Sequence, residues 1–504
     1  MLYKFLCVLF ILPFGSSFAQ KPKKIELLNA DVLEYDEAKG AKIKKLKGNV
    51  VFKHQNAKMF CDSAYLISET NSLEAFSNVR IEEGDSLIIY GDYLNYNGNT
   101  GIAEILENVR LHHNEMILTT NILNQNLKTK VASYKNGGEI TDKENSLTSI
   151  SGFYYSKTHN YFFKDSVVLI NPEYQMNSDT LQYNTQSKTS YFHGPTTIVG
   201  KENTIHCNKG YYDTKKDLSS FSNKATLYSN EKSIKADSLY YDRKKGFGQG
   251  TKNVVIFDTL EQMIISGGLA KYYEENDFSM VTENAMVTDI YSDDSLFLHA
   301  DTFKTSIDSS GDKVILGYNR VKFFKSDLQG SCDSLTYTTL DSLMHLYGNP
   351  IIWSENNQMT SDYIELETSS RGIEKLKFIQ NSFIVSFVDS TKFNQIKGKD
   401  MIGYFKNNEL HKLDVIGNGQ TIYYAEEETK EFEKKKYIGI NKAECSNMLI
   451  YVSNNEITKI NFLTKPKATL YPLSKYPDEL KELEGYKWLD YKRPKNKLDI
   501  FNWR

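Results

Sequence analysis

One stretch, Ile234-Lys235-Ala236-Asp237-Ser238-Leu239-Tyr240-Tyr241, recurs in degenerate form from end to end of the chain. A repeat of this kind limits the architecture before any single residue does. With the Asp as origin, equivalents fall at Asp31, Asp62, Asp92, Asn121, Ile150, Asp179, Asn208, Asp237, Gly268, Asp301, Asp333, Asp362, Asp400 and Glu444. The spacing is close to 29 residues through the middle, as from Asp179 to Asn208 to Asp237, and it loosens after Asp362. Three residues before the origin the side chain is apolar (Leu28, Met59, Ile89, Leu118, Met176, Ile205, Ile234, Ile265), with Gly330 an exception. One before it is small (Ala30, Cys61, Gly91, Thr120, Ser178, Cys207, Ala236, Cys332). Two after it is usually Leu, and four after it is often Tyr.

Period-two alternation marks a strand with one buried face. Here the inward positions are odd before the origin and even after it, so the phase slips and the strand must bend or bulge at the Asp. A second column interleaves with the first: Asn49, Asn78, Asn108, Asn136, Asp165, Gly194, Asn223, Asn253, Asn284, Asn319, Asn349, Asn381 and Asn418. Asn, Asp and Gly tolerate positive φ best, so this column predicts a matching bend in a partner strand. Short polar stretches such as Asn97-Gly98-Asn99-Thr100 and Ser229-Asn230-Glu231-Lys232 separate the two strand types and read as hairpin turns. The expected fold is all-β, an antiparallel meander of bent strands in about 14 two-strand repeats, followed by a short helical and aromatic tail.

Composition agrees, with 34 Tyr, 27 Phe and only 9 Pro in 504 residues. The formal charge of −3, with both signs dispersed, gives no reason to expect nucleic acid as a partner. Residues 1–19 have the layout of a secretory signal: Lys4, an apolar run from Phe5 to Phe14, and small residues before a cleavage point after Ala19. That run is too short to span a bilayer, which takes about 20 residues, so the mature protein is expected to be exported. Of the remaining cysteines, Cys61, Cys207 and Cys332 sit in the small column of well-separated repeats, and Cys445 falls beside the last origin. They read as corner fillers rather than disulfide partners. The expected modules are 20–290 and 291–465, with a tail over 466–504. Asp478 to Leu483 suggests a short helix. Trp488, Phe501 and Trp503 suggest a tail that packs on its own last strands or on a partner. The charge run from Glu426 to Lys436 reads as a solvated hairpin.

Catalytic motifs are missing. The nine His include no His-Glu-x-x-His pair, no Cys-x-x-Cys accompanies them, and neither a Gly-x-Ser-x-Gly elbow nor a phosphate-cradling loop occurs. His112-His113 lies beside a turn and reads as solvated. Asp at a bend is expected to bond neighbouring backbone N–H groups. Neither catalysis, a metal nor a cofactor is expected.

A sheet creased along one line folds its halves face to face. The crease-facing columns then either fill a dry core or leave an apolar trough, and the candidate lining is Ile89, Leu94, Tyr96, Leu118, Met176, Leu181, Tyr183, Ile205, Ile234, Leu239, Tyr241 and Ile265. The segments Gly48-Asn49-Val50-Val51-Phe52 and Ala30-Asp31-Val32-Leu33-Glu34-Tyr35-Asp36, with their repeats, resemble the OstA-like family of periplasmic lipopolysaccharide-transport proteins and the N-terminal domain of their outer-membrane partner. The likeness covers nearly all of residues 25–465. It implies an extended β-jelly roll, V-shaped in section, that binds lipopolysaccharide acyl chains. It also implies strand-edge partners of the same fold at the inner and outer membranes, and residence in the periplasm. The unpaired edges near Leu27 to Tyr35 and Ile457 to Leu463 suit such joining physically. The alternative is a structural or polysaccharide-binding scaffold with a filled interior.

Overall fold

The computed structural model of the protein describes residues 23–503 except 36–42, 85–86, 230, 261, 291–293, 339–341, 370–371, 407–408, 427–436, 454–455 and 478–479. The signal segment, its cleavage point and nearly all of the charge run after Glu426 lie outside the described residues. The rest divides into two compact units, the first ending at His193 and the second beginning at Gly194. Each is an antiparallel β-jelly roll built by hairpins between long creased strands, such as Ile43–His54 with Ala57–Ile67 in the first and Lys232–Asp242 with Phe247–Asp258 in the second. Among the described residues, no helix is long and apolar enough to cross a membrane.

The crease has one construction in both units. The register skips two residues of the Asn-bearing strand opposite one Asp: Lys47 pairs with Ser63 and Val50 with Cys61, leaving Gly48 and Asn49 opposite Asp62. Both skipped residues adopt positive φ, as at Gly48/Asn49, Ser77/Asn78, Glu107/Asn108, Lys252/Asn253, Asn319/Arg320 and Gln380/Asn381. The extra residue therefore sits in the partner strand, not at the Asp. Every position in the predicted Asn column is left-handed except Asn136, where Gly137 takes over at φ 88°. Left-handed geometry costs an ordinary L-residue roughly 1–2 kcal/mol, and Asn and Gly carry it most easily.

The backbone N–H bond anticipated for the Asp is made at Asp400, which accepts from Gln380 N at 2.9 Å, but at other corners the partner is a side chain. There the Asp carboxylate accepts from the Asn side chain across the strand pair, at 2.9 Å for Asn49 to Asp31, 2.7 Å for Asn78 to Asp62, 2.5 Å for Asn108 to Asp92 and 2.7 Å for Asn319 to Asp301. The Asn is already fixed by its own left-handed backbone, so its amide is presented to the neighbouring strand at little further entropic cost. Inside the corner, Cys61, Cys207, Cys332 and Cys445 are buried free thiols. Burial pushes Cys61 and Cys332 up to about 12 and Cys207 to about 11. Gly330, the exception in the apolar column, lies under Phe323, where a Cβ would stand 2.1 Å from the ring.

The C-terminal tail departs from expectation. From residue 480 onward it contains only short 3₁₀ turns, such as Asp490–Lys492 and Asp499–Phe501, and no α-helix. Three buried glutamines on the outer face of a half-sheet of the second unit hold it extended. Gln395 donates to Lys481 O at 2.8 Å and accepts from Leu483 N at 2.8 Å, and Gln358 does the same with Lys487 O and Leu489 N at 2.7 and 2.6 Å. Gln329 accepts from Arg493 Nε at 2.7 Å. Gln358 and Gln395 take backbone groups that a helix would have paired internally, and Gln329 anchors the tail through the Arg493 side chain. The tail thus packs on its own unit, and Tyr476 and Leu483 join Phe383, Val385, Ile422, Tyr424 and Ile440 in a second apolar cluster.

The chain-end edges are as read. Glu26–Asn29 and Val32–Tyr35 pair with Ile43–His54, and Glu456–Leu463 and Lys467–Tyr471 pair with Tyr437–Ser453. Leu28, Val32, Leu33 and Tyr35 on the first edge are exposed.

The corner predicts a specific substitution pattern. Asn78→Gly accepts φ 50° without strain but gives up the bond to Asp62, and should cost only about 1 kcal/mol in urea unfolding. Asn78→Val, which strains the backbone and removes the bond to Asp62, should cost about 2 kcal/mol.

Candidate functional site

The crease-facing columns form the site, and the two units present them differently. In the first, Ile89, Leu94, Tyr96, Leu118, Met176 and Leu181 are at most 4% exposed, and Leu46, Phe52, Leu73, Ile81 and Ile105 pack beside them with no exposure. Tyr183, at the far end of this unit, is half-buried. In the second unit the strands from Asn203 to Tyr273 carry the same columns, yet Ile205, Ile234, Leu239, Tyr241 and Ile265 are all only half-buried, as are Leu227, Ile256 and Met263. The small corner residues Cys207 and Ala236 are buried there, together with Phe221 and Val254. Beyond Ala285 the interior closes again around Leu298, Phe303, Phe323, Leu335 and Leu346.

The Tyr column differs between the units in its bonding. Take the half-sheet before the origin Asp as one wall and the half-sheet after it as the other. In the first unit Tyr96 reaches the opposite wall and bonds His54 Nδ1 at 2.5 Å. The other ring nitrogen of His54 lies 2.9 Å from Lys23 O, a group that only accepts. Nε2 therefore carries the proton, and the tyrosine hydroxyl donates to Nδ1. Tyr154 likewise bonds His113 Nδ1 at 2.8 Å and stacks on Tyr161 with centroids 4.1 Å apart. Between these two ties, Gln125, the residue in the Tyr column, donates to Glu83 at 2.9 Å, with the Lys130 ammonium against the same carboxylate. Burial raises the phenol pKa of Tyr96 and lowers that of the His113 imidazolium.

In the second unit the tyrosines turn sideways. Tyr212 donates to Asp217 at 3.1 Å, Tyr241 to Glu274 at 2.9 Å and Tyr272 to Asp277 at 3.3 Å, each acceptor lying in a turn of the tyrosine's own wall.

Sequence reasoning found the apolar columns but missed the groups on the facing wall. His54 is 1% exposed, and His113, expected to be solvated, is half-buried against Tyr154. The partners stand 41 or 42 residues apart on strands that are not sheet neighbours, a separation with no local signature. On the outer side of the crease in the first unit lie two adjoining grooves of about 770 and 710 Å³, lined by the Asn–Asp rungs with Arg80, Tyr90 and Arg110. They do not reach the apolar columns.

Residues 22–179 and 178–237 match the family described as OstA-like protein. Over residues 22–237, less than half of its length, the chain is similar to that family. No curated protein matches it. Among solved structures, one match is LptH, the LptA homologous periplasmic component of the conserved lipopolysaccharide transport device from Pseudomonas aeruginosa. It is 15% identical over 21% of this chain and 81% of that one, with a TM-score of 0.20. The OstA-like segment takes in the sealed columns of the first unit and the first open strands of the second.

The two tyrosine environments predict unequal costs. Tyr96→Phe leaves a buried imidazole nitrogen without a partner and should cost about 1–3 kcal/mol. Tyr241→Phe, whose lost partner Glu274 is exposed to water, should stay within about 0.5 kcal/mol. Urea denaturation of the two variants checks the contrast.

Proposed function

We propose that the protein is a periplasmic carrier of lipopolysaccharide or a related glycolipid, holding acyl chains between the walls of its creased sheet and catalysing no reaction. The observation that carries this reading is the open apolar column from Ile205 to Ile265. A run of aliphatic side chains facing inward yet left partly exposed is unfavourable in water, at about 25 cal/mol per Å² of apolar surface, and an acyl chain would cover it. The tyrosines at the rim add an apolar ring with a hydroxyl tip, suited to the boundary between lipid tail and head group. The OstA-like match over residues 22–237 supports the same reading.

In this reading the chain is exported, its leader is removed after Ala19, and its exposed edge strands add to sheets of similar fold at the inner and outer membranes. Backbone groups on an edge strand template such addition, and the exposed Leu33 and Tyr35 offer side chains for specificity. The modules 20–290 and 291–465 would then be the lengths of the bridge between those partners. The sealed interior of the first unit favours a second reading for that part alone, a packed scaffold that spaces the carrier from its neighbour.

A photo-crosslinking residue at Ile205, Ile234 or Leu239 should give lipopolysaccharide adducts, whereas one at the outward-facing Lys235 should give none. Adducts from Lys235 alone would exclude the trough.

A further inference from the structure

The first unit is closed by a row of polar ties, one per repeat, set where its walls end. His54, Glu83 and His113 stand at successive strand ends of one wall, and Tyr96, Gln125 and Tyr154 face them from the other. The chain separations are 42, 42 and 41 residues, so the same tie is made three times in succession. Asp142 continues the row, raising the pKa of Tyr183 by its charge, after burial. The tied groups are buried: Tyr96 is unexposed, His54 and Gln125 are 1% exposed, and Tyr154 is 3% exposed. Behind them the interior is mainly aliphatic and aromatic, with small residues such as Cys61, Thr120 and Ser149 at the crease. Where the tyrosines turn sideways in the second unit, the column behind them is half-exposed.

We propose that this row is a latch, which holds the first unit shut until a glycolipid parts its walls, and whose released groups then line the rim for the lipid's polar head. The proposal rests on the carrier reading. Its physical basis is the placement of the polar groups. Hydrogen bonds at the boundary of the interior are exchanged for water or for head-group hydroxyls and phosphates when the walls separate. An acyl chain replaces the aliphatic contacts that are lost behind them. The Lys130 ammonium beside Glu83 and the imidazoles of His54 and His113 supply donors of the kind that phosphate and hydroxyl groups accept. A tie that breaks at the rim therefore leaves nothing unpaired once lipid is present, whereas the same groups placed deeper would have no replacement partner.

The test uses the full chain, purified lipopolysaccharide and a photo-crosslinking residue either at Leu87, an inward position of the first unit, or at Ile234 in the second. The triple variant Tyr96→Phe/Gln125→Leu/Tyr154→Phe removes the ties while keeping the side-chain volumes. Loss of one net hydrogen bond shifts an opening equilibrium by roughly two- to tenfold, so the adduct from Leu87 should rise at least several-fold and that from Ile234 should not change. The opposite variant, Glu83→Cys/Gln125→Cys joined by a short cleavable bismaleimide, should abolish the Leu87 adduct, and cutting the bridge should restore it. Equal Leu87 adducts in wild type, the triple variant and the bridged form, with Ile234 still labelled, would overturn the latch and leave the carrier reading intact. If neither position labels in any form, the carrier reading fails and the latch with it.

Discussion

Two consecutive left-handed residues opposite a single Asp are the constraint on which everything else in this protein depends. Without them each strand would keep one alternation along its length, and the meander would be an open twisted sheet with an apolar face in water. With them the alternation slips at every repeat, so both halves of each strand turn their apolar residues to the same side. Each corner is unfavourable on backbone grounds. The residue type best suited to left-handed φ also supplies the amide that binds the facing Asp, as in Asn78 to Asp62 at 2.7 Å. One column thus sets both the bend and the tie between the strands that share it.

Once the crease is made, the inward columns can do one of two things, and the protein does both. In the first unit Leu94, Ile89 and Leu46 pack to exclusion and polar pairs close the rim. Along Asn203–Tyr273 the same column positions are filled by Ile, Leu and Tyr, but the rim tyrosines bond into their own turns and the column behind them keeps contact with water. The difference lies in a few polar partners, not in the apolar pattern. A trough and a core are therefore neighbouring states of one architecture.

The sequence legibly encodes whatever is periodic. The inward columns, the small corner residue, the hairpin turns and the left-handed Asn positions all follow from alternation and backbone sterics, and the coordinates place them accordingly. Asn136 fails only because Gly137, with its freer backbone, takes the turn. Four features were not legible for identifiable reasons. The Asp bonds a side chain on the next strand, which no spacing within one strand reveals. The tail is extended because Gln358 and Gln395 hold its backbone, so tertiary contacts override the local helix signal in the described part of that segment, Leu480 to Leu483. The run Phe383-Ile384-Val385 lacks alternation and could have announced a strand covered on both faces, but its apolar partners Tyr476 and Leu483 lie far along the chain in the tail. The rim ties joined the same class, since nothing near His54 in the chain points to Tyr96.

The most direct measurement is a cysteine-accessibility scan along Lys232–Asp242 with a water-soluble maleimide, in a background where the four buried cysteines are replaced by Ser. The account predicts slower labelling at Ile234 and Ala236, then at Leu239 and Tyr241, than at Lys235 and Asp237, so that the alternation reverses at the corner. Unbroken alternation through Asp237, with Leu239 labelled as fast as Lys235, would contradict the crease and every functional statement built on it.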